Sequence, residues 1–124
     1  MSNLILVMIG SAFGGGLRYW LSNAVYKYFP VSFPYGTLAV NIVGSFLLGI
    51  IIFFLDVREV INTQWRFFLT MGFCGGFTTF STFSLETFNL FRDSQYFFAI
   101  MNLLSNVFLC MIGIFLAYIL SKII

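Results

Sequence analysis

The chain has no histidine, two cysteines, two prolines and ten charged side chains in 124 residues. Each shortage excludes something. Without histidine there is no imidazole acid–base, nucleophilic or metal-ligand chemistry. Two cysteines inside apolar runs cannot make a disulfide scaffold. A soluble domain carries about a quarter charged residues. Here the share is 8%, with 60% apolar residues and a mean hydropathy of +1.01. Water cannot be the main solvent of such a surface. A net charge of +2, scattered along the chain, leaves no footprint for nucleic acid.

What is present is apolar sequence in long runs. The charge-free intervals are Met1–Leu17, Tyr28–Leu55, Phe67–Leu85 and Ser94–Ser121. About twenty apolar residues cross a hydrocarbon core of about 30 Å as a helix. The runs are continuous rather than alternating, so tilted barrel strands do not fit. The expectation is an all-α membrane protein with one domain over residues 1–124. Its four spans are Asn3–Tyr26, Tyr35–Leu55, Trp65–Phe91 and Tyr96–Lys122. The first run is not read as a signal peptide, because no basic region precedes it and it continues into Arg18-Tyr19-Trp20. Tyrosines and tryptophans cluster at the span ends, as interfacial anchors do.

Four spans put both termini on one side, with Arg58, Arg66 and Lys122. The other side holds Lys27 and Arg92, plus Arg18 if it is counted. The positive-inside rule finds no preference in that balance. Two outcomes stay open: one orientation fixed by a weak bias, or insertion both ways up with antiparallel dimers from one product.

Polar residues inside the spans are the next signal, because each unpaired one is costly in lipid. Thr37, Asn41, Ser45 and Gly49 follow strict i+4 spacing in the second span. Asn102, Asn106 and Cys110 do so in the fourth, and Gly10, Gly14, Arg18 and Ser22 in the first. Helix–helix packing accounts for the Gly10/Gly14 face. Three buried asparagines point further, to a polar path or a subunit seam.

The third span carries the densest pattern, Gly72-Phe73-Cys74-Gly75-Gly76-Phe77-Thr78-Thr79-Phe80-Ser81-Thr82-Phe83-Ser84-Leu85-Glu86. Glycine costs roughly 1 kcal/mol per helix position relative to alanine. A break is expected near Gly75–Thr78. Carbonyls freed there suit a hard cation such as Na⁺, and the N-terminus of the following half suits an anion. Beyond the break, Phe80 and Phe83 share a face about 60° wide, while Thr79, Thr82 and Glu86 lie on the adjoining one. Ring edges are electropositive and hydroxyls donate, so such a surface can solvate a small anion without a fixed charge.

These residues resemble the Fluc (CrcB) family of fluoride channels. The likeness covers the whole chain and rests on Gly14–Tyr19, Gly36–Asn41 and, above all, Gly72–Glu86. It implies a passive, fluoride-selective channel, not an enzyme, in the inner (plasma) membrane. It also implies an antiparallel, dual-topology homodimer, or a heterodimer of oppositely oriented paralogues, with two pores and one central structural Na⁺. Residue by residue, it assigns the Na⁺ to the backbone carbonyls of Gly75 and Thr78. The ion pathway falls on Phe80, Phe83, Asn41, Ser81, Thr82, Glu86, Thr37, Asn102 and Asn106, and the vestibule on Arg18. A carboxylate in an anion path must be protonated or turned aside, which makes Glu86 the odd member. The competing reading is a small four-helix multidrug or cation exporter. Such a transporter needs a membrane-embedded carboxylate, typically in the first span; this first span has Arg18 and no acid, and the only candidate, Glu86, sits late in the third.

Overall fold

The computed structural model describes residues 2–124. They form helices and no strand: α1 (Ser2–Val25), α2 (Tyr35–Ile50), α3 (Thr63–Phe67), α4 (Gly75–Phe77), α5 (Phe80–Arg92) and α6 (Tyr96–Ile123). Two widened, π-helical stretches join these. Ile51–Asp56 prolongs α2, and Phe68–Cys74 links α3 to α4. At the first, Val57 N–H reaches back five residues to the Ile52 carbonyl, at 3.0 Å. Within the second, the Thr70 hydroxyl takes the Arg66 carbonyl at 2.7 Å, the kind of side-chain competition that loosens an α pattern.

Among the described residues, three helical stretches are long and apolar enough to cross a membrane: Asn3–Val25, Tyr35–Asp56 and Tyr96–Ile123. The region expected as the third span, Trp65–Phe91, is helical on both sides of an interruption at Thr78 and Thr79. No single helix there reaches membrane length. The Asn62 side chain caps its start by accepting from Trp65 N–H at 2.9 Å. Left-handed residues, Glu59 (φ 58°) and Ser94 (φ 63°), turn the chain in the loops after α2 and α5.

The main packing partners are not sequence neighbours. The α1 helix lies along the Phe68–Phe77 region, and α2 lies along α6. The first pairing is a seam of glycine on glycine. A methyl group built at Gly10 would stand 2.5 Å from the Phe68 carbonyl oxygen, and one at Gly76 2.6 Å from the Ser11 carbonyl. The Ser11 hydroxyl bridges the seam to the Gly72 carbonyl at 3.3 Å. Gly72 and Gly76 thus form a second GxxxG face that meets Gly10 and Gly14. The break expected near Gly75–Thr78 falls at the threonine end of that range, at Thr78 and Thr79. Gly75 keeps helical angles (φ −63°, ψ −38°), and the interruption falls just beyond the glycines. Their job is close approach, which lets dispersion and backbone contacts accumulate where lipid supplies no hydrophobic drive.

Gly10→Ala is therefore expected to cost about 2 kcal/mol, the range of overpacking in a close-packed interior. Gly16→Ala should be neutral, because nothing lies within 4 Å of its added methyl. Unfolding titrations in detergent micelles would compare the two. Equal stability in both variants would mean that the seam is not close-packed.

Candidate functional site

The site grows from the interruption after α4. Thr78 is extended (φ −88°, ψ 160°), and so is Thr79 (φ −149°, ψ 121°). Thr78 still closes the preceding helix twice, its N–H and its hydroxyl both donating to the Cys74 carbonyl at 3.0 and 2.9 Å. Thr79 does not continue it. In an unbroken helix its N–H would close a turn on Gly75. Here that N–H donates to Asn41 Oδ1 at 2.9 Å, and Asn41 Nδ2 donates to the Thr79 carbonyl at 3.2 Å. One amide side chain from α2 thus holds both polar groups of the residue in the break. The Thr79 hydroxyl then caps α5 by accepting from Thr82 N–H at 3.1 Å.

The amide contacts continue inward. Asn41 Nδ2 donates to Asn106 Oδ1 at 2.9 Å. Asn106 Nδ2 donates to the Asn102 carbonyl and to Asn102 Oδ1, at 2.9 and 3.0 Å. Asn102 Nδ2 donates to the Thr87 hydroxyl at 2.8 Å, which donates to the Phe83 carbonyl at 2.8 Å. All three asparagines and Thr87 are buried. Burial of that many amides is tolerable only because they satisfy one another.

Cavities open on either side of the break. One, of about 340 Å³, is lined by Asn41, Ser45, Gly75, Thr78, Phe80 and Phe83 among others. The other, of about 280 Å³, gathers Arg18, Tyr19, Ser22, Thr37, Thr79 and Thr82, with no acid on its walls. Thr79 belongs to both. A guanidinium, hydroxyls and the nearby start of α5 give the second cavity donors and positive potential, the ingredients of an anion site.

The expected site residues are distributed as follows. Phe80 and Phe83 stand 5.5 Å apart between ring centroids, tilted by 53°. They differ in burial: Phe80 is 78% exposed and Phe83 only 6%. Thr37 and Thr82 share the Arg18 cavity. Ser81 lies on the exposed side of α5, its hydroxyl 3.4 Å from that of Thr79. Glu86 lines a third cavity, of about 160 Å³, with Tyr26, Ser32, Asn89 and Asp93. Its Oε1 is buried with no hydrogen-bond partner among the described residues. Asn41, Asn102 and Asn106 come together, spent on the break and on each other. Gly75 and Thr78 sit on the larger cavity. Three contributors were not foreseen: Thr87, which ends the amide chain, Ser11 in the seam, and Thr79 as the clamped residue. Thr87 sits four residues after Phe83, a spacing that reads as ordinary helix surface until its partner is known.

Long apolar helices packed around an interrupted segment, with a cavity on either side of it, define a helical membrane protein. The chain belongs to the CrcB-like (camphor resistance, CrcB) family, whose model matches residues 5–118. It is 46% identical over 121 residues to a protein of Coxiella burnetii (strain CbuK_Q154), covering 97% of this chain and 98% of that one. It is 42% identical over 124 residues to one of Pyrococcus abyssi (strain GE5 / Orsay), covering 98% of each. Both relatives carry the name fluoride-specific ion channel FluC. The family is one of ion channels and not of enzymes.

Proposed function

We propose that this chain is a passive, fluoride-selective channel of the inner (plasma) membrane, built as a single four-span domain. The observation that carries the reading is the clamped break at Thr79, with the Arg18 cavity on one side and Phe80 and Phe83 on the other. The relatives' names supply the ion. An anion drawn toward Arg18 meets the hydroxyls of Thr37, Thr82 and Thr79, then the rings. Fluoride is small and strongly hydrated, so its water must be replaced closely, and ring edges and hydroxyls do this within a narrow bore. The Glu86 side chain lines a cavity of its own beside Thr37, which lines the Arg18 cavity.

The working unit is an antiparallel dimer with two pores, made from copies of this chain or from paralogues of opposite orientation. In one chain Phe80 is mostly exposed beside a half-open cavity, which a second copy would close. The residues present suit a central Na⁺. Among the described residues no three His, Cys, Asp or Glu side chains gather, and Thr79 N–H has left the Gly75 carbonyl for Asn41. The Gly75 and Thr78 carbonyls of two copies would hold the ion, which supplies positive charge to a dry interior.

Purified protein in liposomes should release fluoride and retain chloride, read with ion-selective electrodes. Absent fluoride release, or equal release of both halides, would sink the reading. For topology, Glu59→Cys in a background without Cys74 and Cys110 should react with an impermeant thiol reagent from both membrane faces. Labelling from one face, with transport intact and no partner gene, would rule out dual topology.

A further inference from the structure

The amide chain that begins at the break returns to the helix it started from. It leaves the third segment at Thr79, crosses α2 at Asn41 and α6 at Asn106 and Asn102, and re-enters α5 at Thr87 and Phe83. Its two ends are backbone groups of opposite kind. Thr79 N–H can only donate, and the Phe83 carbonyl can only accept. Between them each side chain passes a hydrogen onward in the same direction. Thr87 anchors that direction at the far end, as Thr79 N–H does at the near one and the Asn102 carbonyl does at Asn106. The Thr87 hydroxyl has one proton, donated to Phe83, and so receives from Asn102. With Asn102 donating there, its Oδ1 accepts from Asn106, whose own Oδ1 accepts from Asn41. Asn41 is then left with its oxygen toward Thr79 N–H, the orientation the clamp needs.

We propose that Thr87 is a positioning residue for conduction: it orders the amide relay that holds the break at Thr79 and the start of α5, which carries Phe80 and Phe83. This rests on the fluoride-channel reading. Valine matches threonine in shape but neither donates nor accepts. In Thr87→Val, Asn102 Nδ2 loses its acceptor in a buried site. Amides that turn to recover a partner bring Asn41 Nδ2 toward Thr79 N–H, donor against donor. The clamp is lost about as far from Thr87 as the relay is long. Serine keeps the hydroxyl, so Thr87→Ser keeps the order.

The test compares the parent, Thr87→Val and Thr87→Ser, purified and reconstituted, by fluoride efflux per assembled protein and by hydrogen exchange at the Thr79 amide. The expected result is an efflux at least about tenfold slower for Thr87→Val, roughly one decade on the barrier scale. Thr79 exchange should be correspondingly faster, and Thr87→Ser should restore both. Exchange at Thr79 is the readout that a merely local packing defect at Thr87 would not move. Unchanged efflux and exchange in Thr87→Val would overturn the proposal, and so would equal slowing in Thr87→Ser. If Thr87→Val does not assemble, Thr87→Ala, which also removes the hydroxyl, takes its place with the same expectations. A parent that releases no fluoride would overturn the channel reading alone, because Thr79 exchange still decides the relay.

Discussion

Replacing Phe80 or Phe83 by isoleucine should cut fluoride efflux by at least about tenfold while the proposed dimer still assembles, which is about 1.4 kcal/mol on the rate-limiting barrier. Isoleucine keeps the apolar volume and removes the ring, and with it the electropositive edge that can face an anion. The two variants should differ in a second property. Phe83 is 6% exposed and packs inside its own chain, so its loss should also lower stability. Phe80 is 78% exposed, and Phe80→Ile should leave the single chain as stable as before. That makes Phe80→Ile the cleaner experiment, read as efflux normalised to dimer on gel filtration. Parent rates in both variants would reduce the rings to packing residues.

Asn41→Ala should have the largest effect on stability, about 3 kcal/mol, and should abolish conduction. The change removes three hydrogen bonds at once, two to Thr79 and one to Asn106. Each buried group left without a partner costs about 1–3 kcal/mol, and water admitted from the adjoining cavity recovers part of that. Single hydrogen bonds between membrane helices average about 0.6 kcal/mol, so a loss beyond 2 kcal/mol would identify a clamp rather than an ordinary contact. Denaturant titration in micelles, beside efflux from liposomes, measures both. A variant within about half a kcal/mol of the parent would show that the break holds itself.

Much of this was legible in the residues alone, for identifiable reasons. Charges are so sparse that the intervals between them nearly define the helices: α2 opens at Tyr35 and α6 at Tyr96, where they were expected. The Asn62 cap follows from local chemistry that needs no tertiary partner. The interruption in the third segment was foreseeable because glycine and threonine are both poor there. Its position falls at the Thr78 end of the expected range. The glycines proved helical because α1 approaches them closely, a fact about a residue sixty positions away. The same limit applies to Asn41. Its spacing marks it as interior, but only the fold reveals that both ends of its amide are committed to Thr79 and Asn106. Neither widened stretch was visible, since nothing in Ile51–Asp56 distinguishes it from a regular helix.

The pairing of α1 with the third segment and of α2 with α6 has a consequence for biosynthesis. Among the described residues the largest packing contacts join helices that are not neighbours in sequence. As the chain leaves the ribosome, α1 waits for the glycines of the third segment, and α2 waits longer still. Until α6 has been made, Asn41 lacks Asn106 and the relay lacks both of its middle members. A nascent chain that ends before α6 therefore has the rings and the break but not the amide contacts from Asn102 and Asn106. The amide contacts that hold the break at Thr79 are thus completed only once α6 has been made.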